Sequence, residues 1–174
     1  MKKMILSMVV FLIVFVPADI LLAEECPEID ANLRFELYKN FPQYEIAFAD
    51  RFSPAEQQEL AEKGQGCPHV IAINPSLYVI LLKAKGSDSY RIAEAETSLK
   101  QKGKGWVVRE IDVFTDDTPV LIKAKGGFYA DVTTGDRMTV TRNSAAFMML
   151  LLRSGKQIIY KRSGDEEFEK CRIR

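Results

Sequence analysis

From residue 70 onward, the chain keeps returning to short runs of strand-forming residues broken by turn chemistry. The runs are "LYVILLKA" (77–84), "YRIAEAETS" (90–98), "WVVREIDVF" (106–114), "PVLIKA" (119–124), "FYADV" (128–132), "RMTVTR" (137–142), "AAFMMLLLR" (145–153), "KQIIYKR" (156–162) and "EFEKCRIR" (167–174). Gly, Asp, Ser and Asn fill nearly every gap, which suits hairpin connections. Two stretches, 77–82 and 146–152, are apolar on both faces and are expected at the centre of a sheet. The other runs alternate in the manner of half-exposed strands. The pattern predicts a mainly β, α+β fold: an antiparallel sheet or sandwich of hairpins with a short N-terminal helical region.

That helical region lies in a mixed segment, 24–66, expected to form one domain with the β-rich core, 67–174. "RFSPAEQQELAEKG" carries a clear start signal: Ser53 as cap, Pro54 in the first turn and Glu56 to close a capping box. Gly64 is a natural stop, so a helix is predicted over about 54–63. Its thin apolar stripe (Ala55, Leu60, Ala61) places it on the surface. "IDANLRFELYKNF" (29–41) reads equally as a short helix or a strand.

The first 23 residues have a basic start, "MKK", an apolar stretch from Met4 to Val16 broken only by Ser7, and small residues at Ala18 and Ala23. This is the build of a secretory signal peptide. Pro17 and Asp19 argue against a permanent membrane anchor, so periplasmic or secreted localisation in a bacterium is expected, without stable membrane insertion after cleavage. Cleavage after Ala23 takes 23 residues from 174 and leaves 151, enough for one domain with a real core. The segment holds Lys2, Lys3 and Asp19, so 24 basic and 24 acidic groups become 22 and 23, a net charge of −1. Such a balance gives no pull towards nucleic acid. Lys100, Lys102 and Lys104 read as a solvated loop or strand face.

Export makes cysteines pair, and Cys26, Cys67 and Cys171 allow one bridge and one leftover thiol. Cys26 with Cys67 would tie the N-terminal region to the core, and is the preferred pairing. Cys67 with Cys171 would clip the first core strand to the last. Both remain open at this point. Cys67 stands two residues from His69, the chain's one histidine, a spacing that raises the question of a thiol active site. Catalysis needs a free thiol, a lowered pKa and a third group to orient the ring, and no partner is placed for that. His69 therefore reads as a strand-edge residue, one whose replacement by Gln would cost less than about 1 kcal/mol.

Two internal echoes stand out. "VLIKAKGG" (120–127) repeats "ILLKAKGS" (80–87), and "FMMLLLRSGKQIIYKR" has the shape of "YVILLKAKGSDSYRIAE". The layout "CPHVIAINPSLYVILL…GWVVREID…PVLIKAKGGFYADV…FMMLLL…IIYKRSGDEEFEKCRI", over about 67–174, resembles a group of exported bacterial proteins with a degenerate FG-GAP or VCBS-like segment. The resemblance implies β-rich architecture and export. FG-GAP-like loops hold calcium, which takes about six to eight oxygen ligands, through closely spaced aspartates. The matching segment here, "AINPSLY" (72–78), has no acid, so calcium is not expected. Asp112, Asp116 and Asp117 read as a solvated strand end and turn.

The chain lacks a Gly-x-Ser-x-Gly elbow, a phosphate-cradling glycine loop and a CxxC pair, so no catalytic residues, metal or cofactor are expected. The aromatics Trp106, Phe114, Phe128, Tyr129, Phe147, Tyr160 and Phe168 sit at strand spacing and are mainly core candidates. Trp106, Tyr129 and Tyr160 are the candidate binding surface. The expectation is a non-enzymatic envelope binding or accessory protein, or one of inhibitor or immunity type, with an envelope protein or enzyme as partner. The alternative is an envelope hydrolase using a carboxylate pair or Cys67 with His69.

Overall fold

The computed structural model describes residues 26–62, 67–98, 105–164 and 167–173. The expected signal peptide, Gly64 and the lysines at 100, 102 and 104 lie outside the described residues. The chain begins with helix α1 (Ala31–Asn40) and continues through strand β1 (Tyr44–Ile46), a 3-10 turn (Ala49–Arg51) and helix α2 (Pro54–Glu62). The β-rich part follows as β2 (Val70–Asn74), β3 (Leu77–Ala84), β4 (Tyr90–Ser98), β5 (Gly105–Phe114), β6 (Pro119–Lys123), β7 (Gly127–Ala130), β8 (Arg137–Val140), β9 (Ala145–Leu151), β10 (Gln157–Arg162) and β11 (Phe168–Arg172).

These strands form two antiparallel sheets and one separate hairpin. The first sheet runs β1–β3–β4–β5, with β2 also paired to β3. Strands β1 and β2 share one edge of β3: β1 pairs with its C-terminal half (Ile46 opposite Leu82) and β2 with its N-terminal half (Val70 opposite Ile80). The second sheet runs β11–β10–β9–β6, and β7–β8 stands apart as a two-stranded ribbon. The two doubly apolar stretches, β3 and β9, are both flanked on each side by other strands.

Side-chain alternation explains the layering. Val79, Leu81 and Ile92 on one face of the first sheet meet Val120, Phe147, Met149 and Tyr160 of the second. On the opposite face, Ile80, Leu82, Ala93 and Ala95 are covered by Leu33 and Leu37 of α1. The far side of the second sheet presents Ala146, Ile159 and Cys171 to Met138 and Val140 of the ribbon. Helix, sheet, sheet and ribbon thus stack as four layers, and each sheet is covered on both faces. That is why β3 and β9 are apolar throughout.

Both helices start as local chemistry dictates. Asp30 caps α1 by accepting from the Leu33 N–H at 2.7 Å. At α2, the Ser53 N–H donates to Glu56 at 2.8 Å and the Glu56 N–H to Ser53 Oγ at 3.4 Å, the capping box expected from the sequence. Leu60 is buried and Ala55 exposed, while Ala61 lies outside the described side chains. Of the two echoes, the longer one corresponds to equivalent hairpins, β3–β4 and β9–β10. The shorter one does not: β3 turns back onto β4, whereas β6 pairs with β9 and leads away to the ribbon.

The "AINPSLY" segment is a tight β2–β3 turn in which Asn74 Oδ1 accepts from the Ser76 N–H at 2.8 Å. In "GGFYADV", the strand ends at Ala130 and Asp131 builds the following turn. Its carboxylate accepts from the N–H groups of Thr133 (2.7 Å) and Thr134 (3.0 Å), and from that of Arg172 in β11 (2.8 Å). These three donors, Arg172 first, hold the Asp131 carboxyl below its ordinary range. A lowered carboxylate pKa gives stability that is complete above the unfolded-state value and is lost as pH falls through the folded one. Asp131→Asn, which cannot accept from all three donors, should unfold at lower urea than wild type at neutral pH. The gap should narrow as pH is taken below the ordinary aspartate range. A pH-independent gap would show that the charge is irrelevant.

Candidate functional site

The Cys67–His69 segment links the two sheets. Pro68 O accepts from the Leu121 N–H of β6 at 2.9 Å, and His69 O from the Leu81 N–H of β3 at 2.8 Å. Cys26 and Cys67 form a disulfide with Cα atoms 5.2 Å apart, which decides between the two pairings left open above. Cys171 is free and buried between the second sheet and the ribbon. Burial, and then the charges of Asp131 and Asp136, push its thiol pKa up, so it is chemically quiet. Alkylation of the native protein should accordingly label no cysteine, and unfolding without reductant should expose one. Labelling of the native protein would contradict the placement of Cys171.

His69 departs from the strand-edge expectation. It is only 6 % exposed and packs edge-on against Phe48, with ring centroids 4.9 Å apart. Desolvation lowers its pKa, with the Asp50 charge opposing, so the ring is neutral at physiological pH. Replacement by Gln therefore removes a buried aromatic contact and costs more than a surface change. Its Nδ1 atom is buried without a hydrogen-bond partner among the described residues.

A second feature is a charged seam at one end of the space between the sheets. Glu94, buried on β4, accepts from Arg109 Nη1 at 2.9 Å and from Arg162 Nη1 at 3.4 Å, while Arg162 Nη2 reaches Glu96 at 3.1 Å. Nearby, the Tyr160 hydroxyl donates to Asp112 at 2.5 Å, and Lys170 lies 2.7 Å from the same carboxylate. Burial and this hydrogen bond push the Tyr160 pKa far up. A bulge delivers Asp112 here. Between Ala93↔Glu110 and Ile92↔Asp112, β5 holds one extra residue, Ile111, so Asp112 turns to the side that Arg109 faces. Asp112 was expected to be solvated and is instead tied into the seam. Asp117 organises a turn, accepting from the N–H groups of Thr118, Arg153 and Ser154. A cleft of about 350 Å³ opens on the seam, lined by Glu94, Arg109, Glu110, Ile111, Glu167 and Phe168. Glu94 is a poor candidate for a general base there, because both of its oxygens face guanidinium groups.

The three aromatics expected to form a binding surface are not brought together. Tyr160 is fully buried and stacked on Phe147, with centroids 4.8 Å apart. Trp106 is half-buried against Tyr78 on the helix-covered side of the first sheet. Tyr129 turns inward from the ribbon and donates to Lys125 O at 2.7 Å. On the ribbon, the exposed aromatic is its neighbour Phe128, 85 % accessible, opposite Thr139 on the outer face. Alternation with Met138 and Val140, both buried, was the signal that could have placed it there.

Among the described residues, no helix is long and apolar enough to cross a membrane. Fold and site together define a disulfide-tied antiparallel β-sandwich, sealed by a helix on one side and a ribbon on the other. No family model, curated protein or solved structure matches the chain.

Proposed function

We propose that this chain is an exported bacterial envelope protein that works by binding a protein partner, as an accessory factor or an inhibitor or immunity-type protein. The observation that carries the reading is the outer face of the β7–β8 ribbon. It presents Phe128, Ala130, Arg137 and Thr139, while the alternate residues Tyr129, Met138 and Val140 anchor the ribbon to the second sheet. Full burial of such a phenylalanine is worth about 1.5–3 kcal/mol, a large share of a modest interface. Arg137 beside it favours a partner whose apolar pocket has an acidic rim. The disulfide and the resemblance to exported proteins with a degenerate FG-GAP-like segment support the envelope setting.

A photo-crosslinking residue at position 128, in cells that express and export the protein, should give one discrete adduct with an envelope protein. The same residue at Val107, on the first sheet's edge strand, should not. Excess wild-type protein should compete the adduct away, and the Phe128→Asp variant should fail to compete. Equal competition by both would remove the ribbon from the reading. The hydrolase alternative would gain if Glu94→Gln abolished cleavage of an envelope polymer with the melting point held, while Phe128→Asp left cleavage intact.

A further inference from the structure

We propose that Cys26, Cys67 and His69 form a redox-gated zinc site, closed as a disulfide and opened by reduction to two thiolates and one imidazole nitrogen. One ligand atom from each of the three residues lies within 4.8 Å of the other two. Zinc–sulfur bonds of about 2.3 Å and zinc–nitrogen bonds of about 2.0 Å require neighbouring ligands roughly 3.3–3.8 Å apart in a tetrahedron. Once the S–S bond is cleaved, each sulfur is free to turn about its own Cα–Cβ bond towards those spacings. In the closed form the sulfurs are bonded to each other and have little affinity for a cation.

A second, independent observation is His69 Nδ1. It is buried without a hydrogen-bond partner among the described residues, whereas buried polar atoms are nearly always satisfied. A ring nitrogen committed to no protein partner is open to a metal, and imidazole is the commonest metal ligand among side chains. Phe48 packs against the ring and fixes its position. Cys67 is held between the sheets through Pro68 and His69, so two of the three ligands sit on rigid backbone. Cys26 is exposed, which gives both a reductant and a cation an approach.

The chemistry balances with a dithiol reductant and zinc as its only added components. The disulfide takes two electrons and two protons from the dithiol, which becomes a disulfide itself, and yields two thiols. Zinc then displaces both thiol protons and is held by two sulfurs and one nitrogen, with one open position. Two thiolates and one imidazole suit zinc better than hard cations such as calcium, which prefer oxygen.

The test uses the folded protein reduced by a phosphine under argon, with cobalt as a spectroscopic probe and zinc as competitor. The reduced protein should take up one cobalt per chain with a sulfur-to-metal charge-transfer band, and zinc should bleach it. The oxidised protein should show no band. Cys171→Ser should behave as wild type, which separates the site from the third cysteine. His69→Gln should weaken binding by about tenfold or more. Near-UV circular dichroism on the same samples reports the fold. Absence of the band in folded reduced protein would overturn the proposal, as would equal affinity in His69→Gln. Loss of the fold on reduction that zinc fails to restore would overturn it too.

Discussion

Arg162→Ala should destabilise the protein by about 3–5 kcal/mol, the cost of breaking a buried ion pair from one side. The Arg162 side chain is 3 % exposed and that of Glu94 8 %, so little water can reach either when its partner is removed. Arg109 would remain on Glu94, but that arginine is half-exposed and its charge is partly screened. Glu96, a third exposed, would recover some hydration, so most of the loss should come through Glu94. Replacing both members with apolar residues of similar size, Arg162→Met with Glu94→Leu, should cost much less than Arg162→Ala alone, because no buried charge is left stranded: Arg109 and Glu96 lose a partner, but both reach water. Urea unfolding of both single variants and the double gives the coupling directly. A loss below about 1 kcal/mol for Arg162→Ala would show that water fills the seam and that its charges are not structural.

The seam also shows where sequence ceases to be legible. Strand existence was readable because each run and its turn residues are local, and the ends agree closely: β3 and β4 occupy 77–84 and 90–98 as expected. The capping box at Ser53 and Glu56 was readable for the same reason. The helix at α1 was not, because Phe35 and Tyr38, 64 % and 62 % exposed, blur the stripe made by Leu33 and Leu37. The signal that could have settled it was Asp30, three residues before Leu33. Tyr160 was misplaced because alternation fixes which residues share a face, and only the pairing of distant strands says what covers that face. Its partner Asp112 is 48 residues away and turns inward only through the bulge at Ile111. His69 was misplaced for a similar reason: its cover is Phe48, in a segment with no strand or helix pattern. The disulfide pairing was open because three cysteines in loop and strand are compatible with more than one closure.

Cys26→Ser combined with Cys67→Ser should lower stability by about 4 kcal/mol in the chain-entropy picture, with native-state relaxation reducing the figure. The bridge spans 41 positions and encloses α1, β1, the 3-10 turn and α2. Without it, that whole region is free in the unfolded ensemble, and the folded state must order it by packing alone. The packing is unevenly distributed. Ile29, Leu33 and Leu37 seal the outer face of the first sheet, where Ile80, Leu82, Ala93 and Ala95 would otherwise meet water. Strand β1 contributes only three residue pairs to β3, flanked by single bonds from Ala47 N–H to Leu81 O and from Lys85 N–H to Gln43 O, a short ladder for so long a segment. Loss of the bridge should therefore act first on α1, which should exchange its amide hydrogens before β3 and β9 do. The double variant should melt lower, and hydrogen exchange should place the earliest opening at residues 29–41. Simultaneous opening of α1 and the inter-sheet core would mean that the disulfide supports the sandwich as one cooperative unit. A melting point unchanged from wild type would mean that helix packing alone secures the N-terminal layer.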